Sequence, residues 1–250
     1  MADVDAIVQI AVDVIPQEPQ VLYQYPYTDK FPEDCYRCTT EEIKGFVENA
    51  SPASDILVMV AEVDNEKSPS GKTIIAHTVW DLMAVGNKKA AALREELGSV
   101  NDTADKFDCS DRRDADWNRI EYYSRIISRI TWEYLEPTDR TTLPRTYIHL
   151  IRVATSPQWQ RHGAGTLLCN WGIDVAQKHN LQIGLFATPS GRGLYTKLGF
   201  QKLTTAFVQM PEEKENVSMT VMKWYPQPQK APGQALNAVK RLLFCGVDST

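Results

Sequence analysis

The 250-residue sequence predicts a mixed α/β fold, in which helices pack on a central β-sheet. Short apolar runs of strand type alternate along the chain with segments whose apolar residues recur every three or four positions, which is the helical spacing. No internal repeat is present, and the length fits one domain of roughly 150–250 residues. We therefore expect one domain over residues 1–225, followed by a linker and a tail helix over residues 226–250.

The N-terminal third offers three local signals. Residues 7–12 are apolar and predict a first strand, whereas residues 16–38 are rich in Pro, Tyr and Gln and predict irregular structure. Thr39 and Glu42 have the spacing of a capping box, which predicts a short helix from there to about Asn49.

A hairpin and a long excursion follow. Apolar runs at 56–63 and 73–83 flank a polar turn, which predicts two antiparallel strands. The excursion over residues 84–144 is mostly polar at first and is expected to lie at the surface. Within it, residues 117–135 have a helical apolar face, consisting of Ile120, Tyr123, Ile127, Ile130 and Tyr134.

The C-terminal half predicts an alternation of strands and helices. Strands are expected at 145–155, 183–187, 200–209 and 217–225. Helices are expected at 163–179 and 189–198. The apolar face of the first of these helices should contain Leu167, Leu168, Trp171 and Val175.

Composition and charge exclude several classes of protein. The 27 basic and 32 acidic side chains give a net charge of −5, which argues against a general nucleic-acid-binding protein. The sequence lacks an apolar run long enough for a transmembrane helix, and its acidic N-terminus does not resemble a secretory signal. Five cysteines are too few for a disulfide scaffold, so a cytoplasmic, reducing location is expected.

The segment QRHGAG, residues 160–165, follows a predicted strand and opens a predicted helix. Its glycines allow a ligand to approach the main chain, and the N–H groups of a first helical turn bind anions such as a pyrophosphate. The same pattern also suits a Gly-rich helix start without any ligand. Two other phosphate motifs fail, because Glu66 stands where a P-loop needs Gly and Thr196 where a dinucleotide fingerprint needs Gly.

Three segments in this order resemble the GNAT superfamily of acetyl-CoA-dependent N-acyltransferases. A strand ending in VATSP (153–157) leads into QRHGAG, and a short strand, GLFAT (184–188), follows the helix. GLYTKLGF (193–200) then resembles the family's Tyr-x-x-x-Gly-Phe signature. The residue patterns of these segments are most similar to those of fungal small-molecule members. The resemblance implies a mostly antiparallel central sheet with helices on both faces and a splayed pair of strands that binds the cofactor.

The resemblance also implies acetyl-CoA as cosubstrate and a role for particular residues. The main chain of Val153, Ala154 and Thr155 would pair with the pantetheine arm. The pyrophosphate would be held by the loop and first helical turn, namely Gln160, Arg161, His162, Gly163, Ala164, Gly165 and Thr166. Tyr195 matches the family tyrosine that lies near the acetyl-CoA sulfur and protonates the leaving thiolate. The alternative is that Tyr195 only packs a helix.

A general base is needed, because an amine is mostly protonated at neutral pH and attacks only as the neutral form. His149 is the first candidate, since imidazole titrates near neutrality and the arylalkylamine branch of the family has a His at this offset. That branch has a second His where Ile151 stands here. Strand alternation predicts His149, Ile151 and Val153 on one face. Otherwise His149 is a strand residue bonded to a neighbouring hydroxyl, and Glu62 is an alternative base.

Acceptor binding is assigned to Trp80 and His77, both on the second hairpin strand. The excursion over 84–144 is expected to shape the acceptor side. Cys35 and Cys38 have the spacing of half a zinc site, but no second pair follows at ligand spacing, so no metal is expected.

The sequence as a whole predicts an enzyme that moves acetyl from acetyl-CoA to a small amine by direct attack in a ternary complex. Two alternatives remain open. One is an acetyltransferase of protein or peptide amines, acting on lysine or the N-terminus, and the other is a non-catalytic acyl-CoA-binding protein. We expect neither a nucleic-acid nor a membrane partner, and the acceptor's identity and the oligomeric state are not predicted.

Overall fold

The computed structural model describes residues 2–47, 56–68, 70–82, 108–136 and 147–228, and isolated positions between 85 and 96. The strands are β1 Ile56–Asp64, β2 Lys72–Asp81, β3 Tyr147–Thr155, β4 Gln182–Ala187, β5 Gln201–Val208 and β6 Val217–Trp224. The helices are α1 Ala2–Val14, α2 Pro19–Gln24, α3 Pro32–Val47, α4 Trp117–Ile130, α5 Ala164–His179 and α6 Arg192–Lys197. The expected tail helix and much of the 84–144 excursion lie outside the described residues.

The six strands form one mixed sheet in the order β1-β2-β3-β4-β6-β5. Only β3 and β4 run parallel, and the other neighbours are antiparallel. The β3–β4 pairing extends from Tyr147 opposite Gln182 to His149 opposite Gly184. Beyond that point β3 continues along β2 and β4 along β6, so the two strands separate. This confirms the fold class and the splayed pair that the sequence predicted.

Helices cover both faces of the sheet. On one face, here called the α1 face, Ile7 of α1 and Ile43 of α3 pack against Ala154 of β3. Further along this face, Ile130 at the end of α4 packs against Tyr147. The opposite face, here called the α5 face, is covered by α5 and α6, whose buried side chains share one core with β2, β3, β4 and β6. Strands β2, β4 and β6 between these layers are therefore largely buried.

The predicted first strand at residues 7–12 is wrong, because this segment lies within helix α1. Its buried residues are spaced at helical intervals, namely Val4, Ile7, Val8, Ile10 and Ala11. A short apolar run does not by itself distinguish a strand from the buried side of a helix, and the helical spacing becomes visible only when Val4 is included.

Two predictions for the following segment are also wrong. Residues 16–38, expected to be irregular, include α2 and the first part of α3. Helix α3 does not begin at the Thr39 capping box but at Pro32, with Glu33 and Asp34 in its first turn. Proline suits the first helical position because its missing N–H is not needed there, and acidic residues are stabilising beside it.

The remaining elements agree with the sequence prediction, with one exception on α5. Trp171 is half-buried and Leu168 fully buried as expected, whereas Leu167 is 49% exposed. The hairpin β1–β2 and helix α4 are confirmed, and α4 continues into a π-helical turn at Thr131–Leu135. No helix in the described part of the chain is long and apolar enough to cross a membrane.

A disulfide joins Cys38 of α3 to Cys109, 71 positions later. The link is reinforced by ion pairs between Arg37 and Asp111 at 2.9 Å and between Arg113 and Asp34 at 2.7 Å. Disulfides persist mainly in oxidising compartments, so this bond weakens the argument from cysteine content for a reducing location. The other two cysteines outside this bridge in the described residues, Cys35 and Cys169, are buried thiols.

Candidate active site

A β-bulge in β3 determines which side chains meet at the splayed strands. Val79 and Trp80 of β2 stand opposite Arg152 and Leu150, so Ile151 between them has no opposite residue. An extra residue of this kind reverses the alternation of the strand and leaves its own main-chain groups out of the ladder. The side chains before and after Ile151 therefore follow opposite alternation.

The bulge separates two residues that the sequence placed together. His149 lies on the α1 face, where its ring centroid is 6.4 Å from that of Tyr147 and 6.2 Å from that of Phe186. Val153 lies on the α5 face, next to Gly165 of α5. A Cβ added at Gly165 would be 3.6 Å from Cγ1 of Val153. The prediction that His149, Ile151 and Val153 share one face is therefore wrong. The sequence contains no signal for the extra residue.

One edge of β3 is free for a ligand beyond the splay. Val153, Ala154 and Thr155 pair with β2 on one side. On the other side, no described strand pairs with them. Main-chain N–H and C=O groups on such an edge can pair with an extended ligand as they would with another strand. The main-chain residues that the sequence selected thus border the gap between β3 and β4.

The loop before α5 presents a continuous series of unpaired N–H groups. Among the described residues, no acceptor is bonded to any of the six N–H groups from Arg161 to Thr166. Gly163 occupies the N-cap of α5 with φ of +92° and no side-chain cap, and Arg161 also has a positive φ of 69°. Unpaired N–H groups at the positive end of a helix dipole form an anion site. This arrangement suits a pyrophosphate.

Gln160 connects this loop to two other parts of the chain. Its Nε2 donates to the carbonyl oxygen of Thr155 at 3.3 Å and to Oε1 of Gln17 at 3.2 Å. Gln17 lies in the turn between α1 and α2. The anion loop, the end of β3 and the N-terminal helices therefore meet at Gln160.

Tyr195 of α6 lies in the core shared by α5, α6 and the central strands. Its side chain is 8% exposed, and its ring packs edge-on against Phe200 with centroids 5.6 Å apart. Burial, together with the neighbouring Cys169 and Glu18, raises the pKa of Tyr195 well above its ordinary value. The hydroxyl therefore stays protonated at neutral pH, as a proton donor must.

Glu18 is a further candidate that the sequence reasoning did not consider. It occupies the N-cap of α2, before Pro19, is half-buried, and accepts a hydrogen bond from Nε2 of Gln20. Burial raises the pKa of Glu18, against the opposing effects of Gln20 and Arg152. The signal in the sequence was a Glu-Pro pair opening a short helix, but the segment was interpreted as irregular and no role was sought there.

Arg152 stands next to the bulge on the α1 face. Its Nη2 donates to Oε2 of Glu42 in α3 at 2.9 Å, and its guanidinium lies 5.8 Å from the ring centroid of Phe46. Its Nη1 is buried and has no hydrogen-bond partner among the described residues. The charge of Arg152 acts on Glu18 and on His77.

His149 is half-buried, and burial lowers its pKa to about 4. It is therefore neutral at pH 7 and able to accept a proton, although a low pKa makes it a weak base. Glu62, the alternative base, forms an ion pair with Lys72 at 3.3 Å near the turn of the hairpin.

The two residues assigned to acceptor binding lie in the core. Trp80 is 1% exposed, donates from Nε1 to Thr78 Oγ1 at 2.9 Å, and packs onto Gly172 of α5. His77 has no exposed surface and no partner for either ring nitrogen among the described residues, and burial lowers its pKa to about 3. Neither side chain offers a surface to an acceptor in this structure. Within the same residues, no His, Cys, Asp or Glu cluster is arranged to hold a metal ion.

Comparison with known proteins agrees with this architecture. Residues 100–200 match the model of the acetyltransferase (GNAT) family. A 53-residue stretch is 42% identical to a probable acyltransferase, SID5, of Ajellomyces capsulatus, and covers 21% of this chain and 39% of that relative. The match thus spans well under half of the curated relative.

One solved structure resembles the fold of most of this chain, and a second gives a weaker match. The first is a structure from Corynebacterium glutamicum, described as histone acetyltransferase HPA2 and related acetyltransferase. The match covers 91% of this chain and 93% of the other chain, with a TM-score of 0.51 and 21% sequence identity. A mosquito arylalkylamine N-acetyltransferase, like 5b, covers 77% of this chain and 80% of its own, with TM-score 0.41 and 14% identity.

Residues 100–200 thus resemble a GNAT acetyltransferase domain, as the sequence motifs in this segment predicted. This family uses acetyl-CoA as the acetyl donor.

Proposed function

We propose that this protein transfers the acetyl group of acetyl-CoA to the amine of a small molecule, by direct attack in a ternary complex. The observation that carries the proposal is the position of the unpaired N–H groups of residues 161–166 beside the free edge of β3. A pyrophosphate on the loop and a pantetheine arm along Val153–Thr155 would lead the thioester into the gap between β3 and β4.

One main-chain feature supports polarisation of the thioester, and one side chain supports protonation of the leaving group. Ile151 is left out of the β2–β3 register by the bulge, and we propose that its N–H turns toward the thioester. A fixed N–H donor stabilises the negative charge that develops on a carbonyl oxygen during attack. Tyr195, which retains its proton, would then protonate the leaving thiolate.

Two side chains can take the proton of the attacking amine. His149 is the candidate from the sequence, but burial lowers its pKa to about 4 and its ring contacts are aromatic. Glu18 is better supported, because burial raises its pKa and it interacts electrostatically with Tyr195, the proposed acid. We therefore propose Glu18 as the base and retain His149 as the alternative. A carboxylate in this position would also suit a cationic acceptor.

The function is tested by screening release of the CoA thiol from acetyl-CoA with a panel of amines, alcohols and lysine peptides. We expect release with small amines and a matching N-acetyl product. Release with lysine peptides alone would assign the protein to the peptide-directed class. Tight binding of acetyl-CoA without turnover on any acceptor would indicate a non-catalytic binding protein.

A further inference from the structure

We propose that Gln17 is a positioning residue for acetyl-CoA: through Gln160 it holds the loop of residues 160–165 in the conformation that receives the pyrophosphate. The inference rests on the proposed function, in which the N–H groups of residues 161–166 bind that group. Gln17 lies in the turn between α1 and α2 and is 143 positions from Gln160 in the sequence. It acts through Gln160 and needs no contact with the cofactor.

The side-chain NH2 group of Gln160 has two acceptors. Its Nε2 lies 3.3 Å from the carbonyl oxygen of Thr155 and 3.2 Å from Oε1 of Gln17. A main-chain carbonyl only accepts, so the amide of Gln160 must turn its NH2 group toward Thr155, and its second N–H is then directed to Gln17. The Gln160 side chain is therefore fixed from two directions, by the end of β3 and by the turn after α1.

The next residue has a main-chain conformation that needs such support. Arg161 has a φ of +69°, which a residue with a side chain rarely adopts and keeps only where its surroundings fix the main chain. Gln160, directly before it, carries the two side-chain hydrogen bonds, and its own carbonyl oxygen lies 2.8 Å from Nδ1 of His162. The peptide group that enters Arg161 is thus held by neighbours on both sides.

The rest of the loop is held by packing. The ring of His162 lies edge-on to that of Trp159, with centroids 6.0 Å apart. Trp159 in turn packs against the apolar cluster that includes Ala164 and Leu168 of α5. These contacts come from residues close to the loop in sequence, whereas the bond to Gln17 ties the loop to the N-terminal helices.

A loop that already has its binding conformation loses less free energy when the ligand binds. Without the oxygen of Gln17, one N–H of Gln160 would turn to water and the side chain would be held only by Thr155. Arg161 could then return to the commoner region of negative φ. We expect the cost to appear in the affinity for the part of the cofactor that the loop binds, the pyrophosphate.

The first test is calorimetric binding of acetyl-CoA to Gln17→Met, which keeps the length of the side chain but offers no amide oxygen. The Kd should rise by about 3- to 10-fold, the range for loss of one neutral hydrogen bond. Gln17→Ala should have the same effect, which guards against a packing change caused by methionine. An unchanged Kd in the folded variants would overturn the proposal.

A matched control is available on α1. Gln9 is also an exposed glutamine, but its Nε2 donates within its own helix, to Oδ1 of Asp13 at 2.7 Å. Gln9→Met should therefore leave the Kd for acetyl-CoA unchanged. Thermal unfolding of each variant shows whether the protein has remained folded. An equal loss of affinity in Gln9→Met would show that the effect is not specific to the contact with Gln160, and would contradict the proposal.

A second readout separates an effect on the loop from a general structural effect. S-acetylpantetheine carries the thioester but lacks the pyrophosphate. With an amine found by the screen, Gln17→Met should lower kcat/KM for acetyl-CoA and leave kcat/KM for S-acetylpantetheine near the wild-type value. A similar fall for both donors would assign Gln17 a structural role only. If the wild-type protein acetylates no amine, the proposed function fails, whereas binding of acetyl-CoA still tests this inference.

Discussion

Single residues of the candidate site are held by burial in defined protonation states. Tyr195 keeps its proton because burial raises its pKa, and His149 stays neutral because burial lowers its pKa to about 4. Tyr195 and His149 were predicted from the sequence, Tyr195 from the family signature and His149 from its offset before Gln160, and both roles stay predictions. Glu18 and Arg152 were not found, since one lay in a segment interpreted as irregular and the other depends on a bulge that alternation does not reveal.

Replacement of Tyr195 by Phe should lower kcat by about 100-fold, the lower end of the usual contribution of general acid catalysis. The affinity for acetyl-CoA should change little, because the ring packing against Phe200 is retained. Steady-state kinetics and calorimetric binding of acetyl-CoA measure the two effects separately. Unchanged turnover would remove Tyr195 from the mechanism.

The two candidate bases can be compared directly through the acidic limb of the pH–rate profile. The limb marks the pH at which the base becomes protonated and inactive. Glu18→Gln should abolish most of the activity and flatten the limb, whereas His149→Ala should retain a limb at the wild-type position. The reverse outcome, with a flattened limb only in His149→Ala, would transfer the role of base to His149.

Among the secondary-structure elements, the sequence predicted best those with many regularly spaced apolar residues and those whose order along the chain a known motif indicated. Helix α4 was found from five regularly spaced apolar residues, and the β1–β2 hairpin from two apolar runs around a polar turn. The N-terminal elements failed, because the apolar run at 7–12 is too short to separate strand from helix and α2 has only six residues. Helix α5 was found, but its close approach to the sheet was not, since it depends on the contact between Gly172 and Trp80.

Gly172→Ala tests this contact. A Cβ at position 172 would overlap the ring of Trp80, so we expect overpacking to cost about 1–3 kcal/mol in the free energy of unfolding. This loss should outweigh the gain in helix propensity of up to about 1 kcal/mol. The matched control is Gly193→Ala in α6, where no atom lies within 4 Å of the added Cβ and stability should be unchanged or slightly higher. Urea unfolding measures both, and equal stability of the two variants would contradict the packing argument.

At the scale of the whole molecule, long-range pairings determine what the sequence could not predict. The Cys38–Cys109 bond joins positions 71 apart and requires the fold to bring α3 beside the 108–116 segment. The division of the chain into a domain over residues 1–225 and a tail over residues 226–250 stays a prediction, and so does the cytoplasmic location. The sequence assigned the ring of His77 to an acceptor pocket. In the structure this ring is fully buried in the core.

His77 makes the stability of the whole domain depend on pH. Burial lowers its pKa to about 3, whereas an unfolded His titrates near 6.5. Between these values the unfolded chain binds a proton that the folded chain does not, so stability should fall as pH decreases, by up to about 1.4 kcal/mol per unit from this residue. His77→Leu should weaken this dependence below pH 6.5, as measured by urea unfolding between pH 4 and 8. An unchanged slope would show that His77 is not the group responsible.

The proposed reaction is tested most directly by following acetyl-CoA, a reactive small amine and the protein together by mass spectrometry during turnover. Direct attack predicts CoA and N-acetyl amine in equal amounts, with the protein unmodified at every time point. Accumulation of an acetylated protein before the product appears, or of CoA without any acetylated amine, would contradict the account.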